Sequence, residues 1–222
     1  MTRLRYKCLV LDHDDTVMDS TSFVHHPAFL VAMEQMRPGY TMSLEDYFRM
    51  NFHPGFVEFC KQTLHFTQAD FDLEVRLWQQ YIDTHVPSAY PGMARIIRRQ
   101  KELGGFVCVV SHSFSRNILR DYWENDLPEP DLVYGWELPH EQRKPDPYAL
   151  DQIMARLDLK PKDLLMVDDL KPGYEMAKAR GVDFAAAAWA YDIPEIRDYM
   201  KKGADVYCTD PEELEHWLFD EA

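Results

Sequence analysis

The sequence predicts an α/β protein with a parallel sheet and a mostly helical insertion. Residues 6–11, 106–110 and 164–167 form short apolar runs that are bounded by turn formers, which is typical of buried strands. Helical patterns lie between these runs, and strands that alternate with helices favour a parallel sheet. Residues 21–88 carry helical signals and no strong strand signal. We therefore expect a core domain of residues 1–20 and 89–222 and a separate helical domain of residues 21–88.

Composition bounds the class of protein. The chain has 222 residues, 46% hydrophobic and 28% charged, which suits a globular protein with a sizeable core. A formal net charge of −14 argues against a nucleic-acid partner, because phosphate binding needs clustered Lys and Arg. No apolar segment reaches about 18 residues, and the apolar run near the N-terminus is too short for a signal peptide. The four cysteines show no zinc-site spacing. We expect a cytoplasmic protein with no membrane partner, and the oligomeric state stays open.

The first predicted strand ends in a dense group of acids. Residues 6–11 are followed by Asp12, Asp14, Asp15 and Thr16. In open α/β sheets, ligands bind beyond the carboxyl ends of the strands, so Asp12 and Asp14 are expected in that crevice. Acids packed so densely repel one another unless they share a cation or a proton. A solvated acidic turn is the alternative interpretation of this segment taken alone.

The insertion carries helix-start signals. Ser43 and Thr67 each begin a capping-box pattern, and Phe71, Trp78 and Ile82 then fall on one helical face. We interpret the Met and aromatic residues of these helices as packing residues.

The α/β pattern resumes after residue 90. The predicted elements are helices at 93–103, 115–125 and 173–180, a helix that opens at 144–147, helix starts at Pro194 and Pro211, and strands within 131–136 and 184–189. The strand at 106–110 stops at Ser111, and the strand at 164–167 stops at Asp168 and Asp169. Lys144 lies on the polar connection between those two strand ends.

These side chains suit phosphoryl transfer if they converge on one sheet edge. Carboxylates at two strand ends form an oxygen site for a hard cation such as Mg²⁺, which also binds substrate phosphate. Ser111 and Lys144 supply donors to phosphate oxygens. One Asp is left to attack phosphorus, and a second, two residues on, can protonate the leaving oxygen. The expected intermediate is an aspartyl phosphate.

On these residues the chain resembles the haloacid dehalogenase-like superfamily. Asp12 to Thr16 resemble its DxDxT motif, Ser111 its second motif, Lys144 with Pro145 its third, and Asp168 its fourth. Residues 90–92 also resemble subfamily I members that have a helical C1 cap between motifs one and two. The resemblance implies a Rossmann-like three-layer core, a cap at residues 21–88, and a phosphoglycolate-phosphatase-like enzyme.

The resemblance also implies roles. Asp12 is expected to be the nucleophile and a metal ligand. Asp14 is expected to be the general acid and base, and to offer its backbone carbonyl to Mg²⁺. Ser111 and Lys144 are expected to bind the phosphoryl group, with Lys144 also restraining the charge of the nucleophile. Asp168 is expected to be the principal acidic metal ligand, and a small phosphorylated metabolite the substrate.

Two positions depart from the family pattern. Asp15 stands where Gly is usual, which adds negative charge beside the site. Pro172 stands where a second acid of the fourth motif is usual. Asp169 is therefore a candidate second metal carboxylate, directly or through water, and a helix-capping Asp is the other interpretation.

The histidines carry a weaker signal. His112 is a candidate for presenting its backbone amide to phosphate. His25 and His26 are candidates for lining the cap hinge and touching the leaving group. For each of them, a surface or packing role is the favoured interpretation.

A phosphomonoester hydrolase is the favoured function, because dehalogenases lack an acid at the position of Asp14. A phosphotransferase or mutase on the same scaffold is the main alternative. A phospho-acceptor signalling module and a noncatalytic relative are less favoured. The substrate and the residues that select it stay open.

Overall fold

The computed structural model describes residues 4–219 of the protein. These residues belong to two compact units: an α/β unit, formed by the chain up to Asp19 and from Ser88 onward, and a helical unit, Ser20–Pro87. The sequence-based core domain also includes residues 1–3 and 220–222, which lie outside the described residues.

The strands and helices follow one another along the chain. The strands are β1 (Cys8–Leu11), β2 (Met18–Asp19), β3 (Ser88–Ala89), β4 (Phe106–Val110), β5 (Leu132–Tyr134), β6 (Leu164–Asp168), β7 (Asp183–Ala187) and β8 (Val206–Cys208). The helices are α1 (His26–Met36), α2 (Leu44–Phe52), α3 (Phe56–Gln62), α4 (Gln68–Ile82), α5 (Met93–Glu102), α6 (Ser115–Glu124), α7 (Tyr148–Leu157), α8 (Lys171–Arg180), α9 (Pro194–Gly203) and α10 (Pro211–Phe219).

The α/β unit is built on a six-stranded sheet with the order β5-β4-β1-β6-β7-β8. Every neighbouring pair in this sheet is parallel. The chain builds one half of the sheet outward from β1 and then crosses to β6 on the other side of β1. The strand order therefore reverses between β1 and β6, which is the place where open α/β sheets bind ligands. This architecture, a parallel sheet flanked by helices, confirms the predicted fold class.

Burial explains why the two central strands are apolar up to Asp168, which ends β6. All four residues of β1 and all five of β6 are buried, as expected for strands covered on both faces. Helix α8 ends at Gly181, whose φ of 63° is a left-handed conformation that glycine adopts without steric cost.

The helical unit has its own apolar core. Phe29 and Met33 of α1 pack with Tyr47 and Met50 of α2 and with Cys60 of α3. The side chain of Ser43 accepts a hydrogen bond from the amide of Asp46, and Thr67 forms a full capping box with Asp70. Both predicted helix starts are confirmed, and the aromatic and Met residues named here serve packing.

Three local features differ from the sequence-based expectation. A short antiparallel ladder pairs β2 with β3, where the chain leaves and re-enters the α/β unit. Residues 21–25 form a π-helical turn before α1. Helix α7 begins at Tyr148 rather than at the predicted 144–147, because a residue that precedes proline disfavours helical backbone and both 145 and 147 are proline.

Among the described helices, none is both long enough and apolar enough to span a bilayer.

Candidate active site

The site lies at the reversal point of the sheet. Asp12 directly follows β1, and its amide donates to the carbonyl of Val167 in the neighbouring strand β6, 2.9 Å away. Asp168 ends β6, and Asp169 follows it. One carboxylate oxygen from each of Asp12, Asp168 and Asp169 lies within 4.8 Å of the other two. All three side chains are buried, so three acids share one water-poor crevice.

Lys144 supplies the positive charge of this crevice. Its Nζ lies 2.8 Å from Asp12 Oδ1 and 2.6 Å from Asp168 Oδ2. Burial opposes the charged form of Lys144, yet the two carboxylates raise its pKa above the ordinary value. The lysine is thus a fixed cation that links the acid after β1 to the acid at the end of β6.

One lysine does not neutralise three acids. Burial raises the pKa of Asp12 to about 7; Lys144 opposes this effect, and Asp168 adds to it. Burial also raises the pKa of Asp169 well above its usual range, and the neighbouring acids Asp15 and Asp168 add to the effect. A cation among these oxygens would favour the ionised forms.

The residues present fit Mg²⁺. Three carboxylates from two adjacent segments form an all-oxygen donor set, which a hard cation prefers. Among the described residues, Asp169 Oδ1 is buried and has no hydrogen-bond partner. Buried polar atoms are normally paired, so this oxygen is available to a cation or to a water molecule bound to one.

Asp14 faces a different set of groups from Asp12. Its Oδ2 accepts a hydrogen bond from Ser113 Oγ at 2.6 Å and a longer one from Ser111 Oγ at 3.4 Å. Ser111 Oγ in turn accepts from the Ser113 amide at 3.1 Å. The carboxylate of Asp14 is not part of the three-acid group, whose members are Asp12, Asp168 and Asp169.

His112 lies beside the lysine loop. Its side chain is exposed, and its Nε2 lies 3.1 Å from the backbone carbonyl oxygen of Lys144. Because a carbonyl only accepts, the imidazole donates from Nε2 and helps to hold the loop that carries Lys144. The structure therefore brings all the predicted site residues to one region: Asp12, Asp14, Ser111, His112, Lys144, Asp168 and Asp169.

Asp15 is accommodated by the turn that follows Asp12. Its φ is 59°, which lies in the left-handed region that favours glycine and that Asp and Asn tolerate better than other side chains. Its amide donates to the Met18 carbonyl at 2.7 Å. An acid at this usual glycine position is therefore compatible with the turn, and it stays buried near Asp169.

Sequence reasoning missed three supporting residues. Ser113, two residues after Ser111, donates to Asp14. Tyr191 contacts Asp169 from the loop after β7. His13 forms a buried contact with Asp121 of α6, with Nε2 and Oδ2 3.0 Å apart. Of these three residues, only His13 carried a signal in the sequence, because it is a polar residue between Asp12 and Asp14.

The two histidines of the helical unit have local partners. Trp78 Nε1 donates to His25 Nδ1 at 3.0 Å, and the two rings stack. His26 Nε2 lies 2.9 Å from the Met42 carbonyl oxygen, and its ring packs against Tyr47. These contacts favour the packing interpretation for both residues.

The fold and this site define a class: a doubly wound α/β protein with a carboxylate-lysine cluster at the reversal point of its sheet. The sequence profile of the haloacid dehalogenase-like hydrolases matches residues 9–187, and the chain belongs to that family. It is accordingly a hydrolase-family protein, as its motifs predicted.

Individual relatives are more distant. Phosphoglycolate phosphatase 1 of Pseudomonas aeruginosa is 30% identical over 117 residues, which span 51% of this chain and 42% of that protein. A structure described as a haloacid dehalogenase-like hydrolase from Bacteroides fragilis has a TM-score of 0.78 and 21% identity, covering 94% of this chain and 99% of its own. CbbY from Rhodobacter sphaeroides, solved with xylulose-1,5-bisphosphate, has a TM-score of 0.71 and 16% identity, covering 94% and 96%. The two structural matches establish the fold alone.

Proposed function

We propose that the protein is a Mg²⁺-dependent phosphomonoester hydrolase that forms an aspartyl phosphate on Asp12. The observation that carries this proposal is the position of Lys144 Nζ, 2.8 Å from Asp12 and 2.6 Å from Asp168. One buried cation thereby ties a candidate nucleophile to the acids that suit a metal. Such an arrangement lowers the repulsion that an incoming phosphate would meet.

The residues divide the reaction into two displacements. In the first, an oxygen of Asp12 bonds to phosphorus while the bond to the leaving oxygen breaks, and Asp14 gives that oxygen a proton. In the second, Asp14 takes a proton from a water molecule whose oxygen bonds to phosphorus, and the bond from phosphorus to Asp12 breaks. The products are the alcohol and inorganic phosphate, and both carboxyl groups return to their starting states.

The remaining groups hold the phosphoryl oxygens and position the acids. Lys144 and Ser111 act as donors to those oxygens, and Ser113 orients Asp14 through its hydrogen bond at 2.6 Å. Asp12, Asp168 and Asp169, together with the backbone carbonyl of Asp14, would hold Mg²⁺, which would neutralise charge on the acids and on the substrate phosphate.

The substrate class we infer is a small phosphorylated metabolite. The match to a phosphoglycolate phosphatase supports a short phosphorylated acid, and the sugar bisphosphate in the CbbY structure supports a phosphorylated sugar. We assign the helical unit, Ser20–Pro87, as the cap that selects among them. The candidate specificity segments are residues 23–26, where a π-helical turn leads into α1, and residues 52–56, which connect α2 to α3.

Phosphate release tests this proposal. Purified protein should hydrolyse 4-nitrophenyl phosphate with Mg²⁺ and lose that activity in excess EDTA. Asp12→Asn should lower kcat by about four orders of magnitude or more, because the nucleophile is removed while the side chain keeps its size. Asp126→Asn is the matched control, since Asp126 is an exposed residue paired with Arg98.

The outcomes separate the alternatives. Asp12→Asn activity within tenfold of the parent, at unchanged far-ultraviolet circular dichroism, would exclude Asp12 as nucleophile. Transfer of the phosphoryl group to a sugar hydroxyl without free phosphate would favour the mutase. A panel of phosphoglycolate, sugar phosphates and nucleotides then ranks substrates by kcat/KM.

A further inference from the structure

Each acid in the three-carboxylate group is held by a different partner. Asp168 is held on both oxygens, because Lys144 Nζ lies 2.6 Å from Oδ2 and the Leu170 amide donates to Oδ1 at 2.8 Å. Asp12 is held by Lys144. Asp169 is held from another direction, by the hydroxyl of Tyr191.

Helix α8 approaches this group without adding a side chain to it. A Cβ placed on Gly173, in the first turn of α8, would lie 2.1 Å from Asp168 Oδ2. The Asp168 carboxylate therefore fills the space beside Gly173, and no side chain at position 173 can reach the acids. Lys144 holds Asp12 and Asp168, so the orientation of Asp169 depends on a different neighbour.

The contact between Tyr191 and Asp169 has two parts. The Tyr191 hydroxyl lies 2.9 Å from the backbone carbonyl oxygen of Asp169 and 3.3 Å from Oδ2. The single hydroxyl proton is thus shared between the main chain and the side chain of one residue. Carbonyl and carboxylate oxygens accept hydrogen bonds, so the Tyr191 hydroxyl is the donor in both contacts.

The other oxygen of Asp169 is left for a ligand. With Oδ2 beside Tyr191, Oδ1 is the atom that is buried and has no hydrogen-bond partner among the described residues. Asp169 is itself one of the three acids whose oxygens lie within 4.8 Å of one another. A carboxylate bound at one oxygen and unpaired at the other is oriented in the way that metal ligands are commonly oriented by their neighbours.

Tyr191 lies on the loop after β7, beside the end of that strand. It is half-buried and lines a small pocket together with Asp169 and with Ala186, Ala187 and Ala188. Two residues earlier in the same loop, Trp189 Nε1 donates a hydrogen bond to the Thr16 carbonyl at 3.1 Å, which ties the loop to the turn after Asp12. The loop after β7 therefore presents the Tyr191 hydroxyl to Asp169.

We propose that Tyr191 is a positioning residue that orients Asp169 as a carboxylate ligand of the metal site. The inference rests on the proposed function, because it assumes a cation among Asp12, Asp168 and Asp169. It goes further than that function, because it assigns a role in metal binding to the loop after β7, which lies outside the four sequence motifs.

Calorimetric titration of the folded protein with Mg²⁺ tests the inference without any turnover. Tyr191→Phe keeps the ring and removes the hydroxyl, and it should weaken Mg²⁺ binding by about 10–100-fold. Tyr207→Phe is the matched control, since Tyr207 lines the same pocket and should leave the affinity unchanged. Equal melting temperatures in EDTA would show that the variants are folded alike.

A double-mutant cycle separates positioning from general packing. In an Asp169→Asn background, Tyr191→Phe should change the Mg²⁺ affinity by no more than about twofold, because the group that it orients has already lost its charge. A Tyr191→Phe affinity within about twofold of the parent, or an equal loss in both backgrounds, would overturn the role of Tyr191 while leaving the proposed function intact. A parent protein that binds no Mg²⁺ would overturn both.

Discussion

The two units of the molecule bury carboxyl groups in opposite ways. In the α/β unit, Asp12 and Asp168 share the ammonium group of Lys144 at the reversal point of the sheet. In the helical unit, Glu74 of α4 is 5% exposed within a packed helical region. Burial raises the pKa of Glu74 to about 7, and the charge of His25 only partly opposes that effect.

This difference distinguishes a functional cluster from a buried acid in a core. Gathering several acids is unfavourable unless a countercharge is fixed among them, and the α/β unit provides one. A lone buried acid avoids the penalty by staying protonated. The substitutions below probe the two arrangements, from the largest expected effect to the smallest.

Lys144→Met should have the largest effect on stability. It keeps the length of the side chain but leaves Asp12 and Asp168 facing each other without the cation, which should destabilise the fold by about 3–5 kcal/mol at pH 8. Urea unfolding in EDTA measures this loss, and Mg²⁺ should restore part of it. A loss below about 1 kcal/mol would show that the acids do not depend on the lysine.

Glu74→Gln should stabilise the fold, whereas Lys144→Met should destabilise it. Because the folded-state pKa of about 7 lies above the ordinary value of 4.5, the folded chain binds more protons between these values. The contribution of Glu74 to the free energy of unfolding is therefore fully present below about pH 4.5 and is lost as the pH rises through 7. The neutral amide should raise stability at pH 8 by up to about 3 kcal/mol and leave it nearly unchanged at pH 4.

Urea midpoints at several pH values test this sign. Glu58→Gln is the control, because it makes the same change at an exposed position of α3. A stability gain for Glu74→Gln that is equal at pH 4 and pH 8 would contradict the account of Glu74.

Asp121→Ala tests the buried pair behind the Asp12 loop. Removing the carboxylate leaves His13 Nε2 without its partner at 3.0 Å, inside a site where both residues are buried. The expected loss of unfolding free energy is about 1–3 kcal/mol. Asp126→Asn, which neutralises an exposed acid and keeps a side chain that tolerates the φ of 53° at this position, should change stability by no more than about 0.5 kcal/mol. Equal effects of the two variants would show that the contact between His13 and Asp121 does not stabilise the fold.

Ser113→Ala should have the smallest effect, and only on catalysis. The hydroxyl donates to Asp14 Oδ2 at 2.6 Å, so its loss should lower kcat about tenfold through poorer orientation of the acid. Ser115→Ala is a nearby control, because the Ser115 hydroxyl donates to Glu137 instead. Equal kcat values for the two variants would place Ser113 outside the mechanism.

The strand-end residues of the site could be predicted from the sequence because a parallel sheet brings its carboxyl ends to one edge. Asp12, Ser111 and Asp168 each follow an apolar run, and the alternation of strands with helices fixes the direction of those runs. Lys144 could be proposed as a phosphate donor from its place between two strand ends, but no periodic pattern determines where a loop lysine points, and the family motif strengthened that prediction.

The supporting contacts could not be predicted. Tyr191 and Ser113 lie on connections, where local sequence does not determine which side chain reaches which acid. The ladder between β2 and β3 has two residues in each strand, too few to give a periodic signal. The pair formed by His13 and Asp121 joins residues 108 positions apart, and neither position reveals the other.

Rapid-quench mass spectrometry tests the central claim most directly. During turnover of 4-nitrophenyl phosphate with Mg²⁺, the peptide that contains Asp12 should gain the mass of one phosphoryl group, and the gain should be absent in Asp12→Asn. Phosphate release with the phosphoryl group on any other residue would contradict the account.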